Sequence, residues 1–494
     1  VRHIGHWLDG RPRPGASGRT GPVFDPATGA QTGAVALASA EEVDRAVAGA
    51  VAAAEGWGAT PLAHRASVLF RFRDGLDRAR PELAAAISSE HGKVLSDAEG
   101  EVARGIECVE FACGLPHLLK GSHSSEVSTG VDVHTVLHPV GVVVGITPFN
   151  FPVMVPLWML ANAVACGNAF LLKPSEKDPS PSLLLAEIAQ DAGVPDGVVQ
   201  VVQGDGDTVH SLLTHAAVDA VSFVGSTPIA RRVYETGTRH GKRVQALGGA
   251  KNHMVVLADA DVDAAADAAV SAAYGSAGER CMAISVVVAV GPVADPLVEA
   301  IAQRIPSLVV GPGADPRSMM GPLITAEHRD RVAAYVSTAP SEGAVVVVDG
   351  SQPPLEEGFF LGCSLLDDVK PGMRVYDEEI FGPVLCVVRV STYDDAVALV
   401  NANPYGNGVA LFTRDGGVAR SFEREVTVGM VGINVPIPVP VGWHSFGGWK
   451  ASLLGDASMY GPEGIRFYTR QKVVTSRWPD PSTSAIDLGF PSNL

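Results

Sequence analysis

Cys281, in Gly278-Glu279-Arg280-Cys281-Met282, is a thiol in a polar turn, while Val244-Gln245-Ala246-Leu247-Gly248-Gly249-Ala250-Lys251-Asn252 upstream offers no acid. A thiolate can form a covalent acyl intermediate, but without a neighbouring general base it has poor means of activating water to release the acyl group. The pair of features points to acyl transfer onto a better nucleophile than water. Arg280, beside the thiol, is expected to lower its pKa from about 8.5 toward neutrality. The other cysteines, at positions 108, 113, 166, 363 and 386, fall in helical or apolar settings and read as inert packing.

Three further stretches could serve such a thiol. Thr147-Pro148-Phe149-Asn150-Phe151-Pro152 places a primary amide between two prolines after a β-branched run, where a stiff backbone could aim it at an oxyanion. Val224-Gly225-Ser226-Thr227-Pro228 reads as the end of a strand, a glycine turn, an N-cap hydroxyl and a proline at the first helical position. Free amides at such a helix start favour a pyrophosphate, although the same pattern also serves a routine turn. Lys173-Pro174-Ser175-Glu176 follows another apolar run; Lys173 and Glu176 could bond ribose hydroxyls, and Glu176 would repel a 2′-phosphate, favouring NAD over NADP. Gly204-Asp205-Gly206-Asp207 is rejected as a phosphate loop, because Val209 replaces the third glycine and two carboxylates would repel phosphate.

These residues need a scaffold that brings them together. Ala40 to Glu110 reads as Ala-, Leu- and Glu-rich helices, including Pro81–Ile87. Val140–Ile146 then opens an alternation of strands (Ala169–Lys173, Val198–Val202, Ala220–Val224) with helices (near Leu157–Cys166, Ser182–Asp191, from Asp207, from Pro228). Apolar strands without polar alternation are buried on both faces, and this order specifies a doubly wound parallel α/β sheet with its ligand at the carboxyl edge. A second α/β pattern follows Gly249, with strands at His253–Leu257, Ser285–Val290, Ala344–Val348 and Val384–Val390 and a helix at Asp261–Gly275. Cys281 falls between that helix and the Ser285–Val290 strand. The segment from Lys472 alternates Val473, Val474 and Trp478 with polar residues, as an edge strand used in assembly would.

The 494 residues exceed one ordinary core, so two large domains, or one with an appendage, are expected. A net charge of -17 argues against nonspecific nucleic-acid binding. Six cysteines without zinc-type or disulfide spacing fit a reducing, cytosolic setting. The uncharged run from Pro139 to Leu172 is broken by Pro148, Pro152 and Pro156, which favours buried core over a membrane span. Val1–Trp7 shows no basic stretch followed by a long apolar one, so no secretory leader is expected there.

Phe149-Asn150-Phe151-Pro152, Lys173-Pro174-Ser175-Glu176, Phe223-Val224-Gly225-Ser226-Thr227, Gly248-Gly249, Gly278-Glu279-Arg280-Cys281, Glu379-Ile380-Phe381-Gly382-Pro383-Val384 and Phe446-Gly447-Gly448 stand in the order found in the aldehyde dehydrogenase superfamily. The chain resembles that family over nearly its whole length. The resemblance implies two doubly wound α/β domains with a small β oligomerisation extension: residues 1–118 and 140–246 for NAD binding, 247–445 for catalysis, 119–139 and 465–494 for assembly into a dimer or tetramer. It implies that Cys281 attacks an aldehyde while Asn150 and the Cys281 amide hold the oxyanion. Lys173 and Glu176 would hold the adenine-side ribose, Gly225 and Ser226 the pyrophosphate, and Phe149, Glu379 and Phe381 the nicotinamide half. No metal is implied.

Hydrolytic members carry a Glu where this chain has Ala246, a change expected both to remove the base and to leave room. With Ala250-Lys251-Asn252-His253, Cys281-Met282-Ala283-Ile284-Ser285 and Tyr460-Gly461-Pro462-Glu463-Gly464-Ile465-Arg466-Phe467-Tyr468-Thr469, the chain looks like the CoA-acylating methylmalonate-semialdehyde dehydrogenase subfamily. That likeness implies oxidation of a 3-oxo acid, loss of CO2 and transfer of the remaining acyl group to coenzyme A. Arg104 and Arg280 are the implied clamp for the substrate carboxylate. The implied compartment is the cytoplasm, or the mitochondrial matrix in a eukaryote. The alternatives are a hydrolytic dehydrogenase that uses Glu379 as its base, and a non-catalytic scaffold of the same fold.

Overall fold

A computed structural model describes residues 1–478. Its centre is an eight-stranded sheet whose five middle strands run parallel, in the order Arg243–Leu247, Ala220–Val224, Val142–Ile146, Ala169–Lys173, Val199–Val201. Antiparallel strands close it: Leu453–Leu454 at one edge, His6–Leu8 and Arg11–Arg13 at the other. The Val142–Ile146 strand shows why its sequence is unbroken by polar residues. Val142, Val144 and Ile146 enter the apolar layer on one face, and Val143 the layer on the other.

The helices on these layers begin where the sequence supplies caps. Ser39 and Glu42 form a reciprocal capping box for Ala40–Ala59. The helix expected near Leu157 starts earlier, at Met154–Ala165, because Glu101 Oε1 accepts the Val153 and Met154 amides at 2.8 and 3.1 Å. All of its residues are buried, and among the described residues no helix is long and apolar enough to cross a membrane.

The second sheet has seven strands, all parallel except Val345–Val348, which pairs antiparallel with Ser364–Asp367 at the edge. Asn252–Val256, Ile284–Val290 and Val384–Val390 match the strands read from the sequence within a residue. Ser364–Asp367, Gly408–Phe412 and Met430–Ile433 were not anticipated, being only four or five residues long. A separate three-stranded sheet joins Thr469–Arg477 to Val131–Pro139 along nine residue pairs, with His123–Ser128 outside. The assembly strand expected from Lys472 therefore begins three residues earlier; residues 479–494 of the expected assembly segment lie outside the described residues. The return of Leu453–Leu454 to the first sheet is a crossing that the division into 140–246 and 247–445 does not contain.

Candidate active site

Three strand ends of the first sheet, the nucleophile turn and the 374–381 segment enclose a cleft of about 700 Å³. Cys281, Asn150, Phe149, Gly225, Ser226, Glu379 and Phe381 all line it, so the structure brings together residues scattered over more than 230 positions. Lys173 and Glu176 stand at the carboxyl end of a neighbouring strand, paired at 3.1 Å. Asp205 of the rejected glycine motif caps a different helix and pairs with Arg19.

The turn before Cys281 is held in an unusual conformation. Ser276, Ala277 and Gly278 have φ of 51°, 53° and 72°, a left-handed turn that costs L-residues roughly 1–2 kcal/mol each. Asp97 secures it, accepting from the Ser276 hydroxyl and from Arg280 Nη2 at 2.5 Å. Past the turn, the Cys281 carbonyl accepts from the Asn252 and Asn407 amides at 2.9 and 3.1 Å, which fixes the backbone under the half-buried thiol.

The electrostatics correct one expectation. Arg280 does pull the thiol's pKa down, but burial, reinforced by the negative charge of Glu379, outweighs it and pushes the Cys281 thiol up to about 12. Arg280 is spent on Asp97. Although burial raises the Asp97 carboxyl, Arg280 and Lys93 hold it at about 2, so the arginine's charge is largely cancelled. Burial likewise raises Glu379 to about 7 and Glu279 to about 8. Glu379 Oε1 accepts the Ala250 amide at 2.9 Å, and a Cβ on Gly249 would displace its other oxygen.

Ala246 also departs from expectation. It is fully buried, in the apolar layer with Phe223 and Val244, so it removes a carboxylate but contributes no opening beside the thiol. Asn150 is buried with its Nδ2 on the Glu279 carbonyl at 3.1 Å. The two candidate clamp arginines are engaged elsewhere. Arg104 pairs with Glu107 at 2.8 Å and donates to the Val439 and Pro440 carbonyls, and Arg280 borders only a narrow recess beside Cys281.

The cleft fits a dinucleotide. Ser226 is the N-cap of the Thr227–Arg239 helix, with Thr227 and not Pro228 first in the helix, and its side chain makes no capping bond. Ser226 and the start of the helix line the cleft, where uncapped amides of this kind suit a phosphate. Phe149 and Phe381 meet edge to face, centroids 5.8 Å apart, and Phe381 holds a φ of 58°. Lys177, His328 and Arg331, not singled out from the sequence, also line the cleft. Among the described residues neither Lys177 nor Arg331 makes an ion pair; Lys177 lies over the Phe149 ring and Arg331 bonds His328 Nδ1. Lys177 directly follows the Lys173–Glu176 stretch, and that adjacency was the available signal. His328 and Arg331 lie in a helix whose sequence carries none.

The chain matches the family model described as "Aldehyde dehydrogenase family" over residues 13–474. It is 53% identical over 481 residues to a malonate-semialdehyde dehydrogenase of Pseudomonas aeruginosa, covering 96% of this chain and 97% of that protein. It is 46% identical to malonate-semialdehyde dehydrogenase 2 of Geobacillus kaustophilus, with the same coverage. A crystal structure of methylmalonate-semialdehyde dehydrogenase from Oceanimonas doudoroffii superposes with a TM-score of 0.96 at 53% identity, covering 98% of this chain and 99% of that one. A Sinorhizobium meliloti chain assigned the same activity and solved with NAD gives 0.96 at 49%, covering 97% and 99%. With Cys281, Asn150 and the Gly225-Ser226 turn in one cleft, and these matches along almost its full length, the chain belongs to the aldehyde dehydrogenase family.

Proposed function

We propose that the protein is an NAD-dependent, CoA-acylating dehydrogenase of malonate or methylmalonate semialdehyde, releasing CO2 and forming acetyl-CoA or propionyl-CoA. The observation that carries the acyl-transfer half is position 246, where a buried alanine offers no carboxylate to activate water, while Glu379 Oε1 is tied to the Ala250 amide. The names of relatives at 53% and 46% identity support the substrate.

In this reading the Cys281 sulfur attacks the aldehyde carbon, and its proton leaves for solvent or a cleft base. The Asn150 amide and the Cys281 backbone N–H stabilise the oxyanion. NAD supplies the hydride acceptor when bound. Ser226, Lys177 and Arg331 hold its phosphates, Lys173 and Glu176 its adenine-side ribose, and Glu379, Phe149 and Phe381 its nicotinamide half. The resulting thioester on Cys281 withdraws electrons from the carbon bearing the carboxylate, so CO2 departs and a proton replaces it. The thiol of coenzyme A then takes the acyl group and Cys281 leaves as the thiol. Arg104, once released from Glu107, clamps the substrate carboxylate, with Arg280 behind the nucleophile.

Residues 1–118 and 140–246 form the NAD-binding part, and 247–445 the catalytic part. The sheet of His123–Ser128, Val131–Pro139 and Thr469–Arg477 is the surface for assembly with further copies into a dimer or tetramer; Val473 is 59% exposed on it. The bacterial relatives support a cytoplasmic location. The test is NADH formation from both semialdehydes with and without CoA, with products identified by mass. CoA-dependent acetyl-CoA or propionyl-CoA is expected; undiminished turnover to free acid without CoA refutes acyl transfer and makes Glu379 the base.

A further inference from the structure

Two charges are buried beneath the oxyanion turn, and the chemistry above uses neither. Lys93 and Glu101 have side chains of 0% exposure and meet at 2.7 Å. Lys93 Nζ also donates to the backbone carbonyl of Asn150 at 2.8 Å and lies 4.1 Å from the centre of the Phe151 ring. Glu101 accepts the Val153 and Met154 amides through its other oxygen. One ion pair thus grips the chain on both sides of Phe151-Pro152, and the Asn150 carboxamide projects from between the two anchors. One of its N–H groups goes to the Glu279 carbonyl; among the described residues the other has no protein acceptor, and Asn150 lines the cleft.

Stability alone does not explain this arrangement. Taking two charges out of water is costly, and replacing a buried pair with apolar groups of similar volume is often neutral or stabilising. What a buried pair adds is a fixed position, through short bonds that fail if the backbone shifts. Glu101 also lies one helical turn from Asp97 on the Leu95–Cys113 helix, and Asp97 holds the Ser276–Arg280 turn. A single helix face therefore fixes the oxyanion amide and the nucleophile relative to each other.

We propose that Lys93 and Glu101 are positioning residues of the oxyanion hole, acting through Asn150 to hold its free N–H where the oxyanion forms at Cys281. The inference rests on the oxyanion role of Asn150 given above. It is tested on the full chain with Asn150→Ala, with the paired replacement of Lys93→Met and Glu101→Leu, and with all three changes. The readouts are the single-turnover NADH burst from malonate semialdehyde, NAD affinity by titration, and the melting temperature. Asn150→Ala is expected to slow the burst about a hundred- to a thousandfold. The paired replacement slows it roughly ten- to a hundredfold with NAD affinity unchanged, but by less than about threefold in the Asn150→Ala background, because groups acting as a unit are not additive. Equal losses in both backgrounds, or none in the wild type, overturn the inference and leave the pair a structural cap. A full burst from Asn150→Ala overturns the oxyanion reading itself, and the inference with it. Should the paired variant melt below the assay temperature, Lys93→Arg in both backgrounds gives the same comparison.

Discussion

Cys281 in the ligand-free protein is predicted to be a slow thiol. Burial and the charge of Glu379 set its pKa at about 12, four units above an assay at pH 8, so only about one molecule in ten thousand carries a thiolate. A free cysteine of pKa about 8.5 is roughly a quarter ionised at that pH. The more basic thiolate is intrinsically more nucleophilic by about fortyfold, taking a Brønsted slope near 0.45 over 3.5 units, so alkylation should run about sixtyfold slower than that of free cysteine. The assay is iodoacetamide labelling between pH 6 and 10; the other five cysteines are buried, and labelling reports Cys281. The rate should climb without a plateau. Glu379 ionises near pH 7, and its charge then opposes the thiolate, so the slope of log rate against pH should fall below one between pH 6 and 8. Glu379→Gln should restore unit slope and quicken labelling at pH 9 roughly three- to fourfold for one unit of relieved pKa, the tenfold gain in thiolate being offset in part by its lower basicity. A plateau with an apparent pKa at or below about 8.5 refutes the electrostatic argument.

Arg104→Leu should raise the semialdehyde KM roughly ten- to a hundredfold while leaving propanal oxidation little changed, as loss of one charge-assisted bond requires; equal losses on both substrates reject the clamp. Gly249→Ala drives a methyl into Glu379, so NAD affinity in a fluorescence titration should fall about tenfold or more, and unaltered binding contradicts that contact. Asp97 is depressed from 3.8 to about 2 in the folded protein, so its contribution is complete above about pH 4 and is lost as pH falls through 2. That shift corresponds to about 2.5 kcal/mol at neutral pH, and Asp97→Asn should lower the urea midpoint accordingly; a midpoint equal to wild type at pH 7 removes Asp97 as the clamp on the left-handed turn.

The amino-acid sequence by itself singled out Cys281, Asn150 and the Gly225-Ser226 turn, which the structure brings to one cleft, and the order of the main strands. Each is a local event: a β-branched run such as Val142–Ile146 states that both its faces are buried, and Gly225-Ser226 states a turn and a cap within a few residues. Arg280 was given too much weight because it adjoins Cys281 in sequence, while the carboxylate it pairs with is Asp97, 183 positions away. Ala246 states in the sequence only that no carboxylate stands there, and which way its methyl points follows from pairing with Phe223 and Leu454. The short strands Gly408–Phe412 and Met430–Ile433 exist because neighbours hydrogen-bond them, not through their own propensity. Only the tertiary structure decided the acid–base character of the site. The pKa of Cys281, Glu279 and Glu379 and the grip of Lys93 and Glu101 on Asn150 all depend on how much water burial removes and on which distant charge is left beside each group.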